Sequence, residues 1–404
     1  MMSAAEAQVQ RAGELIRGLD VQSISGKHFL VTGGAGCFGM HLGRALHLLG
    51  GQVTLLDKTE LLEDCDPSIK FIQGDIRNQE LLMKACAGVN CVFHIASYGM
   101  SGIAMRRTKL VEEVNVGGTS KLLKACLENN VERMVYTSTH NVIFNGNPIE
   151  NGDESLPYIP LDEHKDDYSR TKCMAEQLIL THSGKKTKDG HTFRSSACRA
   201  VAIYGRGEQR QFPQVMLALE SGVFLATFGS KDILSSRVHI DNLTNAHILA
   251  ADALCEHKNH ISAGEAYIIT DPKPQNQFVW MAEFVEAMGY SMPRLIIPVF
   301  VVLTIAFICE HLQKLLKPLM EVTLFLSRTE LYQVCVTYHY KPDKARKQLG
   351  FVAVERGLED TIEYYRARGH QRKEKDSLVP SWVVTIIIGL LFAAVLISFL
   401  PTAQ

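Results

Sequence analysis

A tyrosine and a lysine four residues apart, Tyr168 and Lys172, form the pair in this 404-residue chain best suited to acid–base chemistry. On a helix, positions i and i+4 share one face, so the phenol and the ammonium would point the same way. A free tyrosine titrates near pH ~10 and is a weak base at neutrality. A nearby cation favours the phenolate, so Tyr168 could take a proton from an alcohol as hydride leaves the carbon, or return it in reverse.

Two hydroxyl side chains, Ser138 and Thr139, follow an apolar segment that begins at residue 133 and is typical of a β-strand. In open α/β folds, ligands bind outside the carboxyl ends of the parallel strands. A Tyr-x-x-x-Lys pattern alone is common by chance on helix surfaces. Hydroxyl groups at this edge of the sheet, ahead of Tyr168 and Lys172, favour an active centre instead.

A glycine-rich turn follows the first predicted strand and opens a predicted helix. Gly33 would allow the tight turn, Gly36 the approach of a pyrophosphate, and Gly39 the close packing of helix on strand. The pyrophosphate would rest on N–H groups at the helix N-terminus, where negative charge is favoured. A glycine triplet by itself also occurs in ordinary strand–helix turns. The residues predicted to bind the cofactor here are Gly33, Gly36, Cys37, Phe38 and Gly39.

The acid that ends the second predicted strand, Asp57, decides which nicotinamide cofactor the sequence favours. It lies about twenty residues beyond the glycines, where a carboxylate can accept both ribose hydroxyls of NAD. The same charge would repel the additional phosphate of NADP. Lys58 beside it leaves room for NADP, so NAD is predicted and NADP is the less favoured alternative.

Three further positions are predicted to lie along the cofactor: Asp75, Ile76 and Ala96. Asp75 follows the third predicted strand and could bond the adenine amine; the alternative is a turn residue that caps the next helix. Ala96 closes the fourth strand, next to the middle of the cofactor. His94 in the same strand is interpreted as a core histidine, not as an acid or base.

Short β-branched segments alternate with longer helical ones through the first half of the chain. Strands are predicted at His28–Thr32, Gln52–Asp57, 69–73, 91–95, 133–138 and 192–201, and helices at 37–49, 78–87 and 106–130. This alternation predicts an α/β fold, a Rossmann-type doubly wound parallel sheet with a smaller C-terminal substrate lobe and a C-terminal transmembrane helix.

The predicted organisation has five parts. They are an N-terminal extension (1–25), an NAD-binding Rossmann domain (26–205 and 237–262), a substrate-binding lobe (206–236 and 263–370), a basic linker (371–378) and a transmembrane helix (379–400).

Charge and cysteine content exclude some classes of function. Lysine plus arginine number 42 and aspartate plus glutamate 43, so the net charge of −1 offers no electrostatic footprint for nucleic acid. The 10 cysteines form no Cys-x-x-Cys pair. Scattered thiols of this kind are typical of a reducing compartment and indicate neither disulfides nor a zinc site.

The segment 379–400 is uncharged and mostly aliphatic, and is about as long as a bilayer's hydrocarbon core requires. Five basic residues precede it, which predicts that the catalytic domain is cytoplasmic. The membrane itself is expected to be that of the endoplasmic reticulum. A second apolar segment, 295–309, is short for a span and contains Pro298. It is predicted to be a helix that lines the pocket mouth and dips into the cytoplasmic leaflet. A core helix is the alternative, and a first span is less favoured.

These motifs together resemble the extended short-chain dehydrogenase/reductases and, within them, the 3-beta-hydroxysteroid dehydrogenase family, family 42E in particular. The resemblance covers about residues 27–369. It rests on Gly33-x-x-Gly36-x-x-Gly39, Gly74-Asp75-Ile76, Asn115-Val116-x-Gly118-Thr119, Tyr168-x-x-x-Lys172, Ile203-Tyr204-Gly205, Val238-His239-Ile240-Asp241-Asn242 and the segment 91–102.

The resemblance implies roles for the matched positions. Tyr168 would be the acid/base, and Lys172 would hold the ribose and tune the tyrosine. Thr139 stands where the family carries its catalytic Ser or Thr, with Ser138 as the neighbouring candidate. Asn115 is similar to the asparagine near the catalytic lysine, and a polar contact inside a helix is its open alternative.

The activity that the resemblance implies is hydride transfer between NAD and a secondary alcohol or ketone on a hydrophobic substrate, a steroid or sterol. A nucleotide-sugar epimerase or dehydratase, or an NAD-binding scaffold with little turnover, are the alternatives. The expected partners are a lipophilic small molecule and a membrane, and a homodimer is left open. No metal is predicted, because in the family the segment with His239 and Asp241 returns the chain to the sheet.

Overall fold

The computed structural model describes residues 21–61, 65–316 and 328–372. The strands are β1 His28–Thr32, β2 Gln52–Asp57, β3 Lys70–Gln73, β4 Cys91–His94, β5 Arg133–Thr139, β6 Ile149–Gly152, β7 Arg194–Ala200, β8 Ile203–Tyr204, β9 Ala226–Phe228, β10 Val238–His239, β11 Ala266–Ile269, β12 Leu295–Ile297 and β13 Tyr338–Tyr340.

The α-helices are α1 Cys37–Leu48, α2 Gln79–Ala85, α3 Thr108–Glu112, α4 Thr119–Glu128, α5 Asp167–His182, α6 Gln211–Glu220, α7 Ile240–Ala253, α8 Gln277–Ala287, α9 Val299–Leu316, α10 Arg328–Cys335, α11 Asp343–Leu349 and α12 Glu359–Ala367. A π-helix spans Glu113–Gly118, and 3-10 turns span Gly102–Arg106, His140–Val142 and Glu256–Lys258.

Seven strands form the main sheet, in the order β11-β7-β5-β4-β1-β2-β3. Every neighbouring pair is parallel, which confirms the predicted Rossmann-type sheet. The edge strand β11, however, lies in the range 263–370 that was predicted to belong to the substrate lobe. The predicted boundary at residue 262 is therefore wrong, because β11 pairs with β7 and completes the sheet.

Alternate side chains of β1 pack on opposite faces of the sheet, as the pleat of a strand requires. Phe29 and Val31 belong to a core cluster with α1 and α7. Leu30 belongs to a second cluster with α4 and α5. All three side chains are fully buried, and burying each contributes about 1.5–3 kcal/mol of hydrophobic stabilisation. The sheet is thus covered on both faces, and its strand ends are left for ligands.

A smaller core lies beyond the sheet and packs α6 against α8 and α12. Phe212, Trp280, Phe284 and Tyr365 are its central aromatic residues. The ring centroids of Phe212 and Phe284 are 4.7 Å apart, and those of Phe284 and Tyr365 are 5.4 Å apart. This aromatic cluster is the core of the region that the sequence predicts to be the substrate lobe.

Two predicted helices differ from the observed ones. The helix predicted over 106–130 is divided into α3, the π-helix Glu113–Gly118 and α4. The apolar segment 295–309 is not one helix, because Leu295–Ile297 forms β12 and pairs with β9. Pro298 separates that strand from α9. Proline disfavours the α conformation in the residue before it, so the helix cannot extend back through Ile297. Proline itself is tolerated where a helix starts.

Several predictions fall outside the described residues. These are residues 1–20 of the N-terminal extension, residues 373–378 of the basic linker and the whole transmembrane helix 379–400. Within the ranges that the structure describes, no helix combines the length and the apolar character needed to span a bilayer.

Candidate active site

The glycine-rich turn between β1 and α1 is shaped by close backbone contacts. Gly33 has a φ of +76°, which favours glycine. A Cβ atom on Gly39 would overlap the carbonyl oxygen of Gly33, and one on Gly33 would lie 2.8 Å from the backbone nitrogen of Ala96. No described side chain caps the start of α1, where Gly36 is the N-cap. The turn therefore fits the predicted role, since its helix N-terminus can receive a pyrophosphate.

Asp57 ends β2 beside this turn, where the sequence placed it. Its Oδ2 accepts a hydrogen bond from the N–H of Ala35 at 3.0 Å. Its Oδ1 accepts two more from Thr59, from the N–H and the hydroxyl, each at 3.0 Å. The carboxylate thus links the second strand to the glycine-rich turn and lies at the edge where the ribose of a dinucleotide would bind.

Asp75 is held by a neighbouring arginine. Arg77 Nη2 lies 2.8 Å from Asp75 Oδ2, and Lys58 Nζ lies 3.7 Å from the same oxygen. Hydrogen bonds from Arg77 are the main cause that lowers the pKa of Asp75 to about 2. The alternative that Asp75 caps the next helix is wrong, because Asn78 caps α2 by accepting from the N–H of Leu81. Ile76 is buried.

His94 is a core histidine, as predicted. Its Nδ1 lies 2.7 Å from the hydroxyl of Thr32 and its Nε2 lies 2.8 Å from that of Thr119. Burial lowers its pKa to about 3, so the imidazole is neutral. Both ring nitrogens are occupied, and His94 is not available as an acid or base.

Tyr168 and Lys172 lie on the first turns of α5, and both side chains are buried. The helix begins at Asp167, after the N-cap Asp166, whose carboxylate accepts from the N–H of Ser169 at 2.7 Å. Lys172 Nζ donates to the carbonyl of Thr137 at 2.5 Å. The same ammonium lies 4.1 Å from the ring centroid of Tyr136. The lysine is therefore anchored on β5 beneath the helix.

The pKa of Tyr168 is raised to about 12, mainly because the phenol is buried. The positive charge of Arg210 and a hydrogen bond with Ser97 act in the opposite direction. The sequence predicts that Lys172 and the positive nicotinamide ring of bound NAD⁺ together lower the pKa of Tyr168. In the protein alone, desolvation of the phenolate outweighs the charge of Arg210, and the effect of NAD⁺ stays a prediction. Burial likewise lowers the pKa of Lys172 to about 7, against the opposing effect of Glu176.

Ser138 and Thr139 both line the cavity that holds Tyr168. The buried hydroxyl of Ser138 forms no hydrogen bond with any described residue. The hydroxyl of Thr139 accepts from the N–H of Asn141 at 3.3 Å, which leaves its own proton to donate. Thr139 therefore has a proton free for a substrate oxygen, whereas the oxygen of Ser138, although its residue lines the cavity, is fully enclosed by the protein.

Asn115 is buried and forms hydrogen bonds with two neighbouring segments. Its side chain bonds both the N–H and the C=O of Tyr98, at 2.8 and 2.9 Å. It also donates to the hydroxyl of Thr171 at 3.0 Å. These bonds join the π-helix to α5 and to the loop after β4. The role that the resemblance implies for Asn115 stays a prediction.

The cavity around Tyr168 has a volume of about 250 Å³. Its apolar walls come from Phe38, Ile95, Met100, Met105, Ala200, Ala202, Ile203 and Val334. Its polar walls include Arg210, Gln211, Gln214, Gln277, Gln333, His140 and Asn141. Sequence reasoning did not assign Ser97, Arg210 or His140 to the site. Ser97 lies in the segment 91–102 and His140 follows Thr139, but only the folded chain shows that all three line the cavity of Tyr168.

The segment with His239 and Asp241 is structural. His239 Nδ1 accepts from the N–H of Asp241 at the start of α7, and its Nε2 lies 3.2 Å from a carboxylate oxygen of Asp360. In the described ranges no group of three or more histidine, cysteine, aspartate or glutamate side chains is placed to hold a metal ion.

A parallel Rossmann sheet with a glycine-rich turn after β1 and a buried tyrosine–lysine pair on α5 defines a nicotinamide-dependent oxidoreductase of the short-chain dehydrogenase/reductase type. The family model of the 3-beta hydroxysteroid dehydrogenase/isomerase family matches residues 30–299. The chain belongs to that family. It is an oxidoreductase that acts on CH–OH groups.

Relatives and solved structures agree with this assignment. The chain is 42% identical to short-chain dehydrogenase/reductase family 42E member 1 of Danio rerio over 374 residues, 92% of this chain and 97% of that one. The epimerase Mth375 of Methanothermobacter thermautotrophicus has a TM-score of 0.68 at 20% identity and covers 89% of this chain and 96% of its own. A dTDP-glucose 4,6-dehydratase of Streptomyces venezuelae with NAD bound has a TM-score of 0.62 at 22% identity, with 85% and 98% covered. At these identities the two solved structures bear on the fold alone.

Proposed function

We propose that this enzyme transfers hydride between NAD and a secondary alcohol or ketone on a steroid or sterol. The observation that carries the proposal is the position of Tyr168, whose buried phenol faces a cavity with an extended apolar wall. A fused-ring substrate would bury its hydrocarbon against Met100, Met105 and Ile203. Its reacting oxygen would meet Tyr168, together with the hydroxyl of Ser138 or Thr139. The name of the family supports this substrate class.

In this proposal the cofactor and three side chains each have a separate role in the reaction. The cofactor supplies or accepts the hydride. Tyr168 exchanges a proton with the substrate oxygen, and a hydroxyl from β5 orients that oxygen. Lys172 is hydrogen-bonded to the carbonyl of Thr137 and lies one helical turn from Tyr168. It would hold the ribose of the cofactor one helical turn away from the phenol.

NAD is proposed over NADP because of Asp57. Its carboxylate lies 3.0 Å from the N–H of Ala35 in the glycine-rich turn, where the ribose hydroxyls of a bound dinucleotide would compete for it. A 2′-phosphate in that place would meet a negative charge.

The proposed location is the endoplasmic reticulum membrane, with the catalytic domain in the cytoplasm and residues 379–400 as the anchor. The surface of α9 supports a contact with lipid. Phe300 is 71% exposed and Phe307 is 48% exposed, and Leu295 on β12 is 53% exposed. Large apolar side chains exposed together in this way are typical of an interaction surface. A lipid substrate could pass from the leaflet to the cavity at this side of the lobe.

The alternative is a nucleotide-sugar epimerase or dehydratase. Four glutamine side chains line the cavity, which suits a substrate rich in hydroxyl groups better than a plain hydrocarbon: Gln211, Gln214, Gln277 and Gln333. Of the two solved structures of the same fold, one is described as an epimerase and the other as a dTDP-glucose 4,6-dehydratase.

A turnover screen of the purified full-length protein separates these functions. Steroids, sterols and UDP-sugars are each incubated with NAD⁺ or NADP⁺, and the absorbance of the reduced cofactor is followed. Net reduction of NAD⁺ with a hydroxysteroid or sterol is the expected result. An epimerase regenerates its cofactor, so the sugars are also analysed for epimerised product. Conversion of a UDP-sugar, with no steroid or sterol oxidised, would favour the alternative.

A further inference from the structure

His140 follows Thr139 directly and lines the same cavity as Tyr168. It is the first residue of the 3-10 turn His140–Val142, for which Thr139 is the N-cap. The residue is 3% exposed, so its ring is part of the cavity wall and not of the outer surface.

Three aromatic rings fix the orientation of the imidazole. The ring of Tyr338 stacks on it, with centroids 5.0 Å apart and planes inclined by 14°. Phe144 packs at 5.5 Å, and Tyr340 meets it edge-on at 5.7 Å. Because rings enclose it on several sides, the imidazole cannot turn to exchange its two nitrogens without repacking this cluster.

The hydrogen bond to Tyr340 decides which nitrogen carries the proton. His140 Nδ1 lies 3.2 Å from the phenol oxygen of Tyr340. Burial raises the pKa of that phenol, so it keeps its proton. Among the described residues Nδ1 is the one acceptor bonded to this hydroxyl, and a buried O–H without an acceptor is costly. Tyr340 therefore donates to Nδ1, and the hydrogen of the imidazole is on Nε2.

Burial also lowers the pKa of His140 to about 3, so the ring is neutral at physiological pH and carries a single N–H. No described residue forms a hydrogen bond with Nε2, and this nitrogen is not among the fully enclosed polar atoms that lack a partner. The N–H is thus open to the cavity that the residue lines. Beside it, the side chain of Gln333 donates to that of Asn141 at 3.4 Å, so this wall of the cavity is polar.

We propose that His140 is a specificity-determining residue whose Nε2–H donates a hydrogen bond to a second oxygen of the substrate, distinct from the oxygen that exchanges a proton with Tyr168. The inference rests on the proposed function, and it narrows the substrate class to ring systems with an acceptor oxygen away from the reacting carbon. Tyr168 and a hydroxyl of β5 already serve the reacting oxygen. A buried N–H that a substrate leaves unpaired costs binding, so a site of this kind rejects the analogue without the acceptor.

The test pairs two steroids, a 3β-hydroxysteroid with a ketone at C17 and the same steroid without the C17 oxygen. The full-length wild type should prefer the ketosteroid in kcat/KM by about 10- to 100-fold, the usual cost of leaving one buried donor unpaired. His140→Phe keeps an aromatic ring but lacks the N–H, and should reduce that preference to less than about threefold. The exposed His191, in a distant surface loop, gives the matched control His191→Phe, which should keep it. Titration with NAD shows whether each variant is folded.

Nitrogen-15 NMR of histidine-labelled full-length protein in detergent tests the tautomer without any substrate. The resonances of His140 are those lost in His140→Phe, and they should report a neutral ring protonated on Nε2 at pH 7. A ring protonated on Nδ1, a charged ring, or an unchanged steroid preference in a folded His140→Phe would overturn the proposal. If neither steroid reacts, the proposed substrate class is wrong, and the tautomer still decides whether His140 can be the donor.

Discussion

The ammonium of Lys172 donates a 2.5 Å hydrogen bond to the main-chain carbonyl of Thr137. This bond ties α5, which carries Tyr168, to the strand that ends in Ser138 and Thr139. The catalytic phenol and the two hydroxyls are therefore held in one geometry by a contact between a helix and the sheet beneath it. Because the ammonium is buried, its pKa falls to about 7, and the bond to Thr137 partly replaces its lost hydration.

Replacement of Tyr168 by phenylalanine should abolish turnover but leave cofactor binding nearly intact. The variant loses the group that exchanges the proton, and such groups contribute about 10²- to 10⁴-fold in rate. Lys172→Ala should damage both activity and cofactor binding, since the lysine serves phenol and ribose. Steady-state rates and calorimetric titration with NAD measure the two effects. A loss below about tenfold in Tyr168→Phe would refute its assignment as the acid/base.

Removal of the charge of Arg210 should move the pH profile of alcohol oxidation toward higher pH. Arg210 lowers the pKa of Tyr168, against the burial that raises it to about 12. In Arg210→Gln the phenolate loses a nearby cation, so its pKa rises and the active base forms only at higher pH. The acid limb of kcat/KM against pH measures the shift. Arg210→Lys keeps the charge and should keep the wild-type limb; identical profiles in all three proteins would contradict the assignment.

Asp57→Ala should narrow the preference for NAD over NADP. We expect the wild type to bind NAD(H) several-fold more tightly than NADP(H), measured by isothermal titration. Both affinities should fall in the variant, because Asp57 also accepts from the N–H of Ala35 in the glycine-rich turn. The ratio of the two affinities is therefore the informative quantity. Lys58→Ala is the matched control, which should weaken NADP(H) alone. A wild type that prefers NADP(H) would contradict the proposal.

Gly39→Ala should destabilise the fold and prevent cofactor binding. The added methyl group would overlap the carbonyl of Gly33, so the helix α1 must move away from the turn. Overpacking of this kind costs about 1–3 kcal/mol in the free energy of unfolding, measurable by urea denaturation. At Gly117 an added Cβ meets nothing within 4 Å, so Gly117→Ala is the control and should be neutral or stabilising. Equal stability of the two variants would show that the turn tolerates a side chain.

Membrane topology can be measured with glycosylation acceptors in the full-length chain. One acceptor is placed near residue 365 and another is appended after Gln404. The single anchor proposed over 379–400 places only the appended site in the lumen, so it alone should be modified. Modification near residue 365 would mean that the chain crosses the membrane before the end of the substrate lobe. Absence of modification at the appended site would contradict the proposal that residues 379–400 span the membrane.

Patterns over a few neighbouring residues were enough to predict the strands, the glycine-rich turn and the Tyr168–Lys172 pair. The strands His28–Thr32 and Gln52–Asp57 agree with their predicted bounds. Their side chains alternate between two buried faces, so apolar residues follow one another within each strand and can be recognised in the sequence. The glycine-rich turn and the Tyr168–Lys172 pair were also predictable. Each depends on spacing over a few residues, which fixes the conformation of a turn or the shared face of a helix.

Only the tertiary structure decided which distant segments meet at Tyr168 and what they do to its chemistry. Arg210 and Ser97 act on the phenol from segments far from it in the sequence, and the tautomer of His140 depends on Tyr340, 200 residues away. The raised pKa of Tyr168 in the protein alone could not be predicted from the sequence for the same reason. Spacing reveals a neighbouring charge, whereas the desolvation that outweighs it depends on how completely the folded chain excludes water from the phenol.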